Sequence, residues 1–579
     1  MCMMNHSVRS LPFDWKDIGF DMATSSTARP KRVVVPPRRF GFTDDGSDDE
    51  PEHDDYDADP TEQLESDSSS SSESEESDEE SRENANDNWR FVQVDEYVHP
   101  DHSFEGVTGW TVPQPTEVTG YISAFLPDGL FQLLCNWTNQ RANMADIDDW
   151  KVVDVATMKK FFGLLLAMPL TKKSTIDEYW STEPIMNTPY YATVMSRNQF
   201  RAIYRFLRFS DPNLVESNNR NSRLFQLEEK IHQICRNFKP GMELSLDECL
   251  LLHKGRLCFK MFIRSKRARF GIKIYILCDC LGYMLAYEIY YGARTTLDVN
   301  EPDTDSLSKS ELVVVHLLKK AGLLDQWHTI TIDNWYSSTR LAEYLYSRKT
   351  FMRGTVNKHR GIPKVLQEKK LPNMGISFMV KDDHLLAIKF CDRKDVYLLS
   401  TADDADVLQK TRRIRGQEEA VNYNRPTAIE AYNLKMGGVD LTDQYLAPYS
   451  AVRKSQIWFK KMGIHFLQRL FLNGFLRYIH EQNIHRPSLL KFTKAAIVHF
   501  TGHASDPTKR RRISSGPSAE ITMMHFPEKI PVGDHGQRNR LRCKQCQKQT
   551  IRRDTQFRCS GCQSKPPLCI TCFRDWHVI

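Results

Sequence analysis

The chain has 579 residues, more than one hydrophobic core usually supports, so about two to four domains are expected. Residues 44–87 hold 21 acidic residues and one arginine, whereas the rest of the chain holds 78 basic and 53 acidic residues, a net charge of +25. That charge favours a polyanionic partner such as nucleic acid over a merely solubilising surface. No segment approaches the roughly 18 apolar residues of a membrane span, and residues 1–10 lack the pattern of a signal peptide. We therefore expect an intracellular protein with reduced cysteines and no membrane partner.

Residues 1–95 are predicted to be a disordered, acidic and Ser-rich N-terminal region. Runs such as DSSSSSESEESDEESRE cannot bury enough apolar surface to offset the entropy of the chain. Within this region, the basic cluster RPKRVVVPPRR at 29–39 is a candidate nuclear import signal, which predicts a nuclear location.

Residues 119–242 are predicted to be helical. Apolar residues recur at a spacing of three to four in FLPDGLFQLLCNWTNQRA and in DVATMKKFFGLLLAM. A further amphipathic segment, RNQFRAIYRFLRFSD, carries Arg201, Arg205 and Arg208, which we expect to share one face. Such a face suits DNA phosphates, and an ordinary solvated face is the alternative.

From Glu243 the apolar period shortens towards two. Four consecutive strands are predicted in LSLDECLLL, RLCFKMFI, GIKIYILCDC and YMLAYEIYY. The helix SLSKSELVVVHLLKKAGLL, the strand WHTITID and the helix SSTRLAEYLYSRK follow. This order predicts a multidomain α/β protein whose core, 243–356, has the mixed sheet of a ribonuclease-H-like (RNase-H-like) fold.

The following segments predict an insertion and a return to helix. Three short strand candidates, GISFMV, HLLAIKF and DVYLLS, lie within 106 residues that separate Asp333 from Asp440, too many for a simple connection. We therefore expect a β-rich insertion domain. The predicted boundaries are 357–420 for the insertion, 421–455 for the second part of the core, 456–500 for a second helical part, and 501–540 for a linker with the basic cluster Lys509–Arg512.

Three aspartates lie on or directly after predicted ordered elements: Asp247, Asp333 and Asp440. Phosphoryl transfer with two metal ions needs one bridging carboxylate and further carboxylates, so that one ion activates water and the other stabilises the leaving oxygen. Mg²⁺ prefers oxygen ligands and keeps several waters, so few acids suffice. The sequence predicts two Mg²⁺ (or Mn²⁺) ions, with Asp247 bridging both and Asp333 and Asp440 each holding one.

Cysteines near the end of the chain recur in pairs with zinc-ligand spacing. In chain order the candidates are Cys543, Cys546, Cys559, Cys562, Cys569, Cys572 and His577. Two thiolates at this spacing present both sulfurs to one ion, and Zn²⁺ takes four ligands. His525 is the candidate for an eighth ligand, with His535 as second choice. A zinc-binding cross-brace domain with two structural Zn²⁺ ions is therefore predicted over 541–579, against the alternatives of reduced structural cysteines or a RING-type ubiquitin ligase.

Motifs across the chain resemble those of the piggyBac family of transposases and its domesticated relatives. They are SLDECLLLHKGRLCFKMFIRSKRARFGIK, TIDNWYSS, RGTVNKHRGIP and KMGGVDLTDQY, in this order and followed by the Cys-rich end. The resemblance runs from about Thr119 to the C-terminus. It implies that Asp247, Asp333 and Asp440 are the catalytic acids and that Asp443 helps to organise the metals.

The resemblance also implies residues that contact DNA. Lys358 and Arg360 match target-DNA contacts, although Asn357 stands where the family usually has a basic residue. In VRKSQIWFKK, Trp458 matches an aromatic near the cleavage site, where it would stack on an unpaired base, and a core position at a helix start is the alternative. Arg453 and Lys454 in the same motif are further DNA-binding candidates.

The function implied by the resemblance is cut-and-paste transposition. It implies cleavage and strand transfer of double-stranded DNA at TTAA targets through hairpin intermediates. The element's terminal inverted repeats would bind the Cys-rich domain, and the split helical domain, 119–242 with 456–500, would serve dimerisation and DNA binding in a homodimer. The alternative is a domesticated DNA-binding or chromatin-associated protein that no longer transposes.

Overall fold

The structure is a computed structural model, which describes residues 88–147, 150–216, 219–263, 269–413, 420–502, 525–532 and 539–577. The chain divides into two compact units, Met1–Ala504 and Ser505–Ile579. The predicted import signal at 29–39, the basic cluster Lys509–Arg512 and His535 lie outside the described residues.

Helices make up much of the first unit. Their bounds are α1 Val118–Phe125, α2 Asp128–Met144, α3 Val155–Ala167, α4 Pro189–Val194, α5 Arg197–Phe206, α6 Phe225–Cys235, α7 Lys309–Ala321, α8 Thr339–Ser347, α9 Lys364–Glu368, α10 Thr427–Lys435, α11 Gly438–Leu446, α12 Trp458–Glu481 and α13 Leu489–Thr501. Several ends follow from capping residues. Asp154 and Ser196 accept backbone N–H groups at the starts of α3 and α5, and a capping box of Ser308 and Glu311 begins α7.

The early and late helices of the first unit form one packed layer. Helix α3 packs against α13, and α1 packs against α12. The apolar faces predicted for 119–242 and 456–500 therefore cover each other. Among the described residues, no single helix has the length and apolarity to cross a bilayer. Only α1 and α2 taken together, which meet at a bend of 46°, pass that test.

The arginine face predicted for the segment 197–211 is wrong in part. Helix α5 ends at Phe206, so Arg208 lies beyond it and is only 7% exposed. Its Nη1 donates to the Leu207 carbonyl at 3.0 Å, and its guanidinium lies 5.3 Å from the Phe459 ring. Arg201 instead pairs with Asp177 at 3.3 Å on the surface. The chain turns at Leu207, and this turn redirects Arg208 into the core.

The first unit also contains β-strands. Their bounds are β1 Trp89–Val92, β2 Gly109–Trp110, β3 Phe238–Lys239, β4 Glu243–Leu252, β5 Met261–Phe262, β6 Phe270–Asp279, β7 Met284–Ile289, β8 His328–Ile332, β9 Thr350–Thr355, β10 Ile376–Lys381, β11 Leu385–Cys391, β12 Asp395–Ser400, β13 Val407–Arg413 and β14 Ala420–Pro426. Ten of them form one mixed sheet in the order β1-β10-β11-β12-β9-β8-β4-β6-β5, with β7 also paired to β6. The large mixed sheet predicted from the strand and helix order is confirmed.

Strand β4 is an interior strand of this sheet, between β8 and β6. It pairs antiparallel with β6 and parallel with β8, and β8 pairs parallel with β9. Leu246 lies opposite Ile332, the last residue of β8. The next residues along the two strands are Asp247 and Asp333, so the ladder brings both aspartates to the same level.

Two details of the predicted strands are wrong. In RLCFKMFI only Met261–Phe262 is a strand, because the Lys260 N–H closes a turn on the Leu257 carbonyl at 3.1 Å. The N-terminal region predicted to be disordered to residue 95 contains β1, whose Arg90 pairs with Asp383 at 2.7 Å beside the ladder to β10. A strand can add to an open sheet edge with little apolar sequence of its own, since backbone hydrogen bonds hold it.

The segment after β9 continues the main sheet. The three short strands predicted there are present as β10, β11 and β12, and β12 pairs with β9. The hairpin β13–β14 was not predicted, because VLQKTRR and AVNYNRP lack the apolar alternation that marks a half-buried strand.

Helix α12 runs through the core and carries buried cations. Lys460, Arg469 and Arg477 are at most 2% exposed. The Lys460 ammonium donates to the Arg205 carbonyl at 2.7 Å, and Arg477 lies over the Trp110 ring at 4.2 Å. Arg469 donates to Thr442 Oγ1 at 3.1 Å, to His465 Nε2 at 2.9 Å and to the carboxylate of Asp443. Arg469 therefore ties α12 to α11, which itself packs on β4.

The second unit is built from short elements. Strand β15 Pro527–Lys529 pairs with β18 Phe557–Cys559, and β16 Leu541–Arg542 pairs with β17 Asp554–Thr555. Two helices, α14 Lys544–Lys548 and α15 Ile570–His577, complete it. Its described core consists largely of cysteines, so apolar burial alone is slight.

Replacing Asp443 with alanine should lower the free energy of unfolding by about 2–3 kcal/mol, because the Arg469 charge would stay buried without its carboxylate. The double variant Asp443→Ala/Arg469→Met should recover part of that loss, since it leaves no uncompensated charge. Unfolding in urea measures both. The exposed Asp101→Ala should change the value by less than about 0.5 kcal/mol. Wild-type stability in Asp443→Ala would contradict the assigned ion pair.

Candidate functional site

A group of three carboxylates lies at the end of β8 and in the middle of β4. Asp247, Glu248 and Asp333 each offer a carboxylate oxygen, and these oxygens lie within 4.8 Å of one another. The arrangement follows from the sheet, because parallel pairing of β4 with β8 stops at the pair Leu246–Ile332. Strand β4 continues past that point, so its next residues face the loop that follows β8.

The loop after β8 holds Asp333 in a defined orientation. The Trp335 N–H donates to Asp333 Oδ1 at 2.9 Å, and the Ser337 hydroxyl donates to the Asp333 carbonyl at 2.9 Å. Burial raises the pKa of Asp333 to about 6, and the negative charge of Glu248 adds to that rise. A cation at this position would offset both effects, because its charge stabilises the ionised carboxylates.

Glu248 is a member of this group that sequence reasoning missed. Its N–H donates to Asp247 Oδ1 at 2.7 Å, and Tyr336 Oη donates to Glu248 Oε2 at 3.4 Å. Successive strand residues alternate between faces, so the period-two pattern assigned Asp247 and Glu248 to opposite sides of the sheet. The adjacency of two acids in SLDECLLL was the available signal.

The remaining two predicted acids lie on α11. Asp440 is exposed in the first turn of that helix and is not a member of the three-carboxylate group. The helix nevertheless touches β4 closely, because a Cβ on Gly438 would stand 2.6 Å from Ser245 Oγ. Asp443 accepts from Arg469, so its carboxylate orients α11 in this structure.

The carboxylate group fits a hard divalent cation by its chemistry. All three donors are oxygens, which Mg²⁺ and Mn²⁺ prefer, and one or two carboxylates with water suffice to hold Mg²⁺. The three carboxylates together bring negative charge into a partly buried place, which a divalent cation would neutralise.

The predicted DNA contacts after β9 differ in accessibility. Asn357 and Lys358 are exposed. Arg360 is half-buried, and its guanidinium donates to the Trp335 carbonyl at 2.6 Å and to Ser310 Oγ at 3.1 Å. Arg360 thus supports the loop that carries Asp333, whereas Lys358 faces solvent.

The three candidates before α12 also separate. Arg453 donates to Tyr179 Oη and to the Lys173 carbonyl, both at 3.0 Å, while Lys454 is exposed. Trp458 is 5% exposed and packs edge-on against Phe259 at 5.3 Å. The structure therefore has Trp458 in the core position that the sequence left open, because it begins a helix whose first turn is buried.

The second unit brings the predicted zinc ligands together in two groups. The first holds Cys543, Cys546, Cys569 and Cys572, and the second holds His525, Cys559, Cys562 and His577. Cys546 Sγ lies 3.4 Å from Cys572 Sγ and 3.8 Å from Cys569 Sγ. Four sulfurs around a tetrahedral zinc stand about 3.8 Å apart, so the first group has the size of a zinc site.

The second group combines two thiols with two imidazoles. His525 Nδ1 lies 3.2 Å from Cys559 Sγ and 3.3 Å from Cys562 Sγ, and His577 Nε2 lies 3.3 Å from Cys562 Sγ. The first and third cysteine pairs share one group, and the second pair lies in the other. This is the crossed arrangement that the spacing predicted, with His525 in the eighth position.

Comparisons with known proteins agree with this architecture. The sequence profile of the Transposase IS4 family matches residues 119–475. Two human proteins, PiggyBac transposable element-derived protein 3 and PiggyBac transposable element-derived protein 2, are each 22% identical over 475 residues. The match covers 80% of this chain and 76% and 77% of those proteins. The cryo-EM structure of a piggyBac transposase synaptic complex with hairpin DNA matches with a TM-score of 0.56 and 24% identity, over 79% of this chain and 95% of that one.

The match to the family profile covers more than half of the chain and includes the carboxylate group and α11. The structural match shows that the mixed α/β fold is similar to that of a piggyBac transposase. The family predicted from the motifs is thereby confirmed. The chain belongs to the Transposase IS4 family, and it is similar to a piggyBac transposase in fold and to human proteins derived from piggyBac elements in sequence.

Proposed function

We propose that this protein is a cut-and-paste DNA transposase that cleaves and transfers DNA strands with divalent metal ions. The observation that carries the proposal is that Asp247 and Asp333 follow a directly paired position of two adjacent parallel strands, β4 and β8, and that their carboxylate oxygens lie within 4.8 Å of each other. The sequence β7-β6-β4-β8-β9 within the sheet, antiparallel then parallel, supports an RNase-H-like catalytic core.

The residues of the site have separable roles in this mechanism. When bound, two Mg²⁺ or Mn²⁺ ions would supply an activated water or 3′-hydroxyl and would stabilise the leaving oxygen. Asp247 lies beside Asp333 and is the proposed ligand common to both ions. Asp333 is oriented by the Trp335 N–H and is a proposed ligand of one ion. Asp440 completes the set from α11.

Asp443 is proposed to position Asp440 rather than to bind metal. The ion pair with Arg469 fixes the turn of α11 that follows Asp440. Because Gly438 packs on Ser245, the start of α11 is fixed against β4 as well. Helix α11 is thus restrained on both sides of the aspartate that it presents.

The proposed partner is double-stranded DNA, with TTAA targets and hairpin intermediates. The matched structure is a piggyBac transposase synaptic complex with hairpin DNA, which supports this partner, and the basic residues outside 44–87 supply the charge. Lys358 and Lys454 are the proposed phosphate contacts because they are exposed. We also propose a homodimer, which the family resemblance supports, and a nuclear location, which the basic cluster at 29–39 supports.

A second candidate function is a domesticated DNA-binding protein without transposition. The human relatives are named as transposable element-derived proteins, which favours this candidate. Against it stands the intact carboxylate group, since DNA binding alone does not require it. Metal-dependent cleavage separates the two candidates.

For the second unit we propose two structural zinc ions in the two Cys/His groups. Thiolate and imidazole are the donors that zinc prefers, and each group supplies four of them. A unit with so little apolar core gains its stability from such ions. The proposed role of this unit is recognition of the terminal inverted repeats.

Asp333→Asn should reduce DNA strand cleavage by about 10³-fold or more, because an amide loses the charge that holds a divalent ion. DNA binding should be unchanged. The measurement is excision of the DNA that flanks this coding sequence from a reporter, together with cleavage of labelled end DNA in Mg²⁺. Asp101→Asn serves as the control. Cleavage retained by Asp333→Asn would refute the assignment, and binding without cleavage by the wild type would favour the domesticated protein.

Native mass spectrometry of the full chain should find two zinc ions per chain. Cys546→Ser and His525→Ala should each lower the content by one ion, because they remove a ligand from different groups. The exposed Cys258→Ser should retain both ions. A zinc content near zero in the wild type would overturn the proposal.

Ending the chain at Ala504 should weaken binding to the element's terminal DNA more than binding to unrelated DNA. The cut falls between the two compact units and removes both Cys/His groups together. Fluorescence anisotropy at one fixed salt concentration compares the two DNAs, because non-specific affinity depends strongly on salt. An equal loss for both DNAs would show that the second unit adds only charge.

A further inference from the structure

The proposed catalytic aspartates leave one carboxylate of the site without a role. Glu248 follows Asp247 on β4, and its oxygen lies within 4.8 Å of the ligand atoms of Asp247 and Asp333. It belongs to a partly buried group, where an ordinary surface glutamate would extend into solvent.

One hydrogen bond orients the Glu248 carboxylate, and a second connects the Glu248 backbone to Asp247. The Glu248 N–H donates to Asp247 Oδ1 at 2.7 Å, which holds the Asp247 carboxylate beside Glu248. Tyr336 Oη donates to Glu248 Oε2 at 3.4 Å. Tyr336 is fully buried and belongs to the same loop as Asp333, since its N–H donates to the Asp333 carbonyl. Glu248 is thus oriented by the loop that presents Asp333.

The arrangement concentrates negative charge in a small volume. The ligand oxygens of Asp247, Glu248 and Asp333 lie within 4.8 Å of one another, so ionised carboxylates at these positions repel each other. The ammonium of Lys273 lies 4.2 Å from the ring of Trp335, in the loop that follows Asp333. A divalent ion between the carboxylates would offset their mutual repulsion, because each carboxylate is attracted to the ion.

We propose that Glu248 is a further metal-binding carboxylate, which gives an oxygen ligand to the divalent ion held by Asp333; this inference rests on the proposed function. Asp333 Oδ1 accepts the Trp335 N–H, which holds this carboxylate within 4.8 Å of the Glu248 oxygen. Glu248 would add a second protein oxygen from β4, and Mg²⁺ or Mn²⁺ accepts water in its other positions. The site is then part-formed on the sheet before α11 contributes Asp440.

Mn²⁺ alone is the probe of this proposal, without DNA and without catalysis. The zinc-loaded full chain is titrated with Mn²⁺, and free Mn²⁺ is counted by electron paramagnetic resonance. Glu248→Gln, which keeps the shape and removes the charge, should weaken the tightest Mn²⁺ site by about tenfold or more. Asp333→Asn should abolish that site. The exposed Glu229→Gln on α6 is the matched control and should bind as the wild type does.

A structural role of Glu248 gives a different pattern. Tyr336→Phe removes the hydroxyl that orients Glu248 and should weaken Mn²⁺ binding less than Glu248→Gln does. Thermal unfolding checks that each variant is folded, and Mn²⁺ should raise the midpoint of the wild type more than that of Glu248→Gln. Should Glu248→Gln fail to fold, Glu248→Asp keeps the charge on a shorter side chain and should still bind Mn²⁺ more weakly than the wild type.

The outcomes separate this inference from the proposed function. Wild-type Mn²⁺ affinity in a folded Glu248→Gln or Glu248→Asp, with the site lost in Asp333→Asn, would overturn the role of Glu248 and leave the catalytic aspartates standing. A wild type with no Mn²⁺ site that depends on Asp333 would overturn the metal centre itself, and Glu248 with it.

Discussion

The parallel pairing of β4 with β8 is the constraint on which the candidate active site depends. It places Leu246 opposite Ile332, so that the next residue of each strand is an aspartate at the same level. A slip by one residue would send Asp247 to the other face of the sheet, away from Asp333. Neighbouring ladders resist such a slip, because β4 is also paired along nine residues with β6 and β8 is paired with β9. The relative position of the two carboxylates therefore depends on the pairing of several strands of the sheet.

Buried cations connect this sheet to the helical layer, and they change how the net charge of the chain should be interpreted. Arg469 joins α12 to α11, Arg353 joins β9 to Glu243 and Asp403, and Lys460 and Arg477 satisfy backbone carbonyls. Composition counts each of them as charge available to DNA. In the fold they serve as internal ties, and losing one partner of a buried pair is costly. The charge that can meet a polyanion is thus smaller than the sequence suggests and is carried by exposed residues such as Lys358.

Sequence patterns predicted those features whose cause is local. The strand WHTITID, the helix SLSKSELVVVHLLKKAGLL and the C-x2-C spacing each depend on residues close together in the chain, and the structure has the corresponding strand, helix and cysteine groups. Features fixed by distant contacts were missed or left open. The polar hairpin β13–β14 has no apolar alternation, and Glu248 is oriented by a hydrogen bond from Tyr336. Trp458, for which the sequence left a DNA contact and a core position open, packs against Phe259 from a distant part of the chain. Periodicity carries no information about such contacts.

The three proposed catalytic aspartates lie on elements whose backbone is fixed in different ways: two are carried by the sheet and one by a short helix. Asp247 and Asp333 lie on or directly after interior strands of a ten-stranded sheet, where packing and ladders fix the backbone. Asp440 stands on a nine-residue helix that is held by the Gly438 contact and by the Arg469 ion pair, and it lies outside the three-carboxylate group. A pair of aspartates carried by the sheet gives a fixed starting point for the proposed metal binding. Asp440 would join that pair from a helix whose position two contacts restrain. Catalytic contacts commonly tighten only in the substrate complex. In the proposed site the sheet therefore preorganises two aspartates, and the shorter approach of Asp440 is left to the complex with DNA.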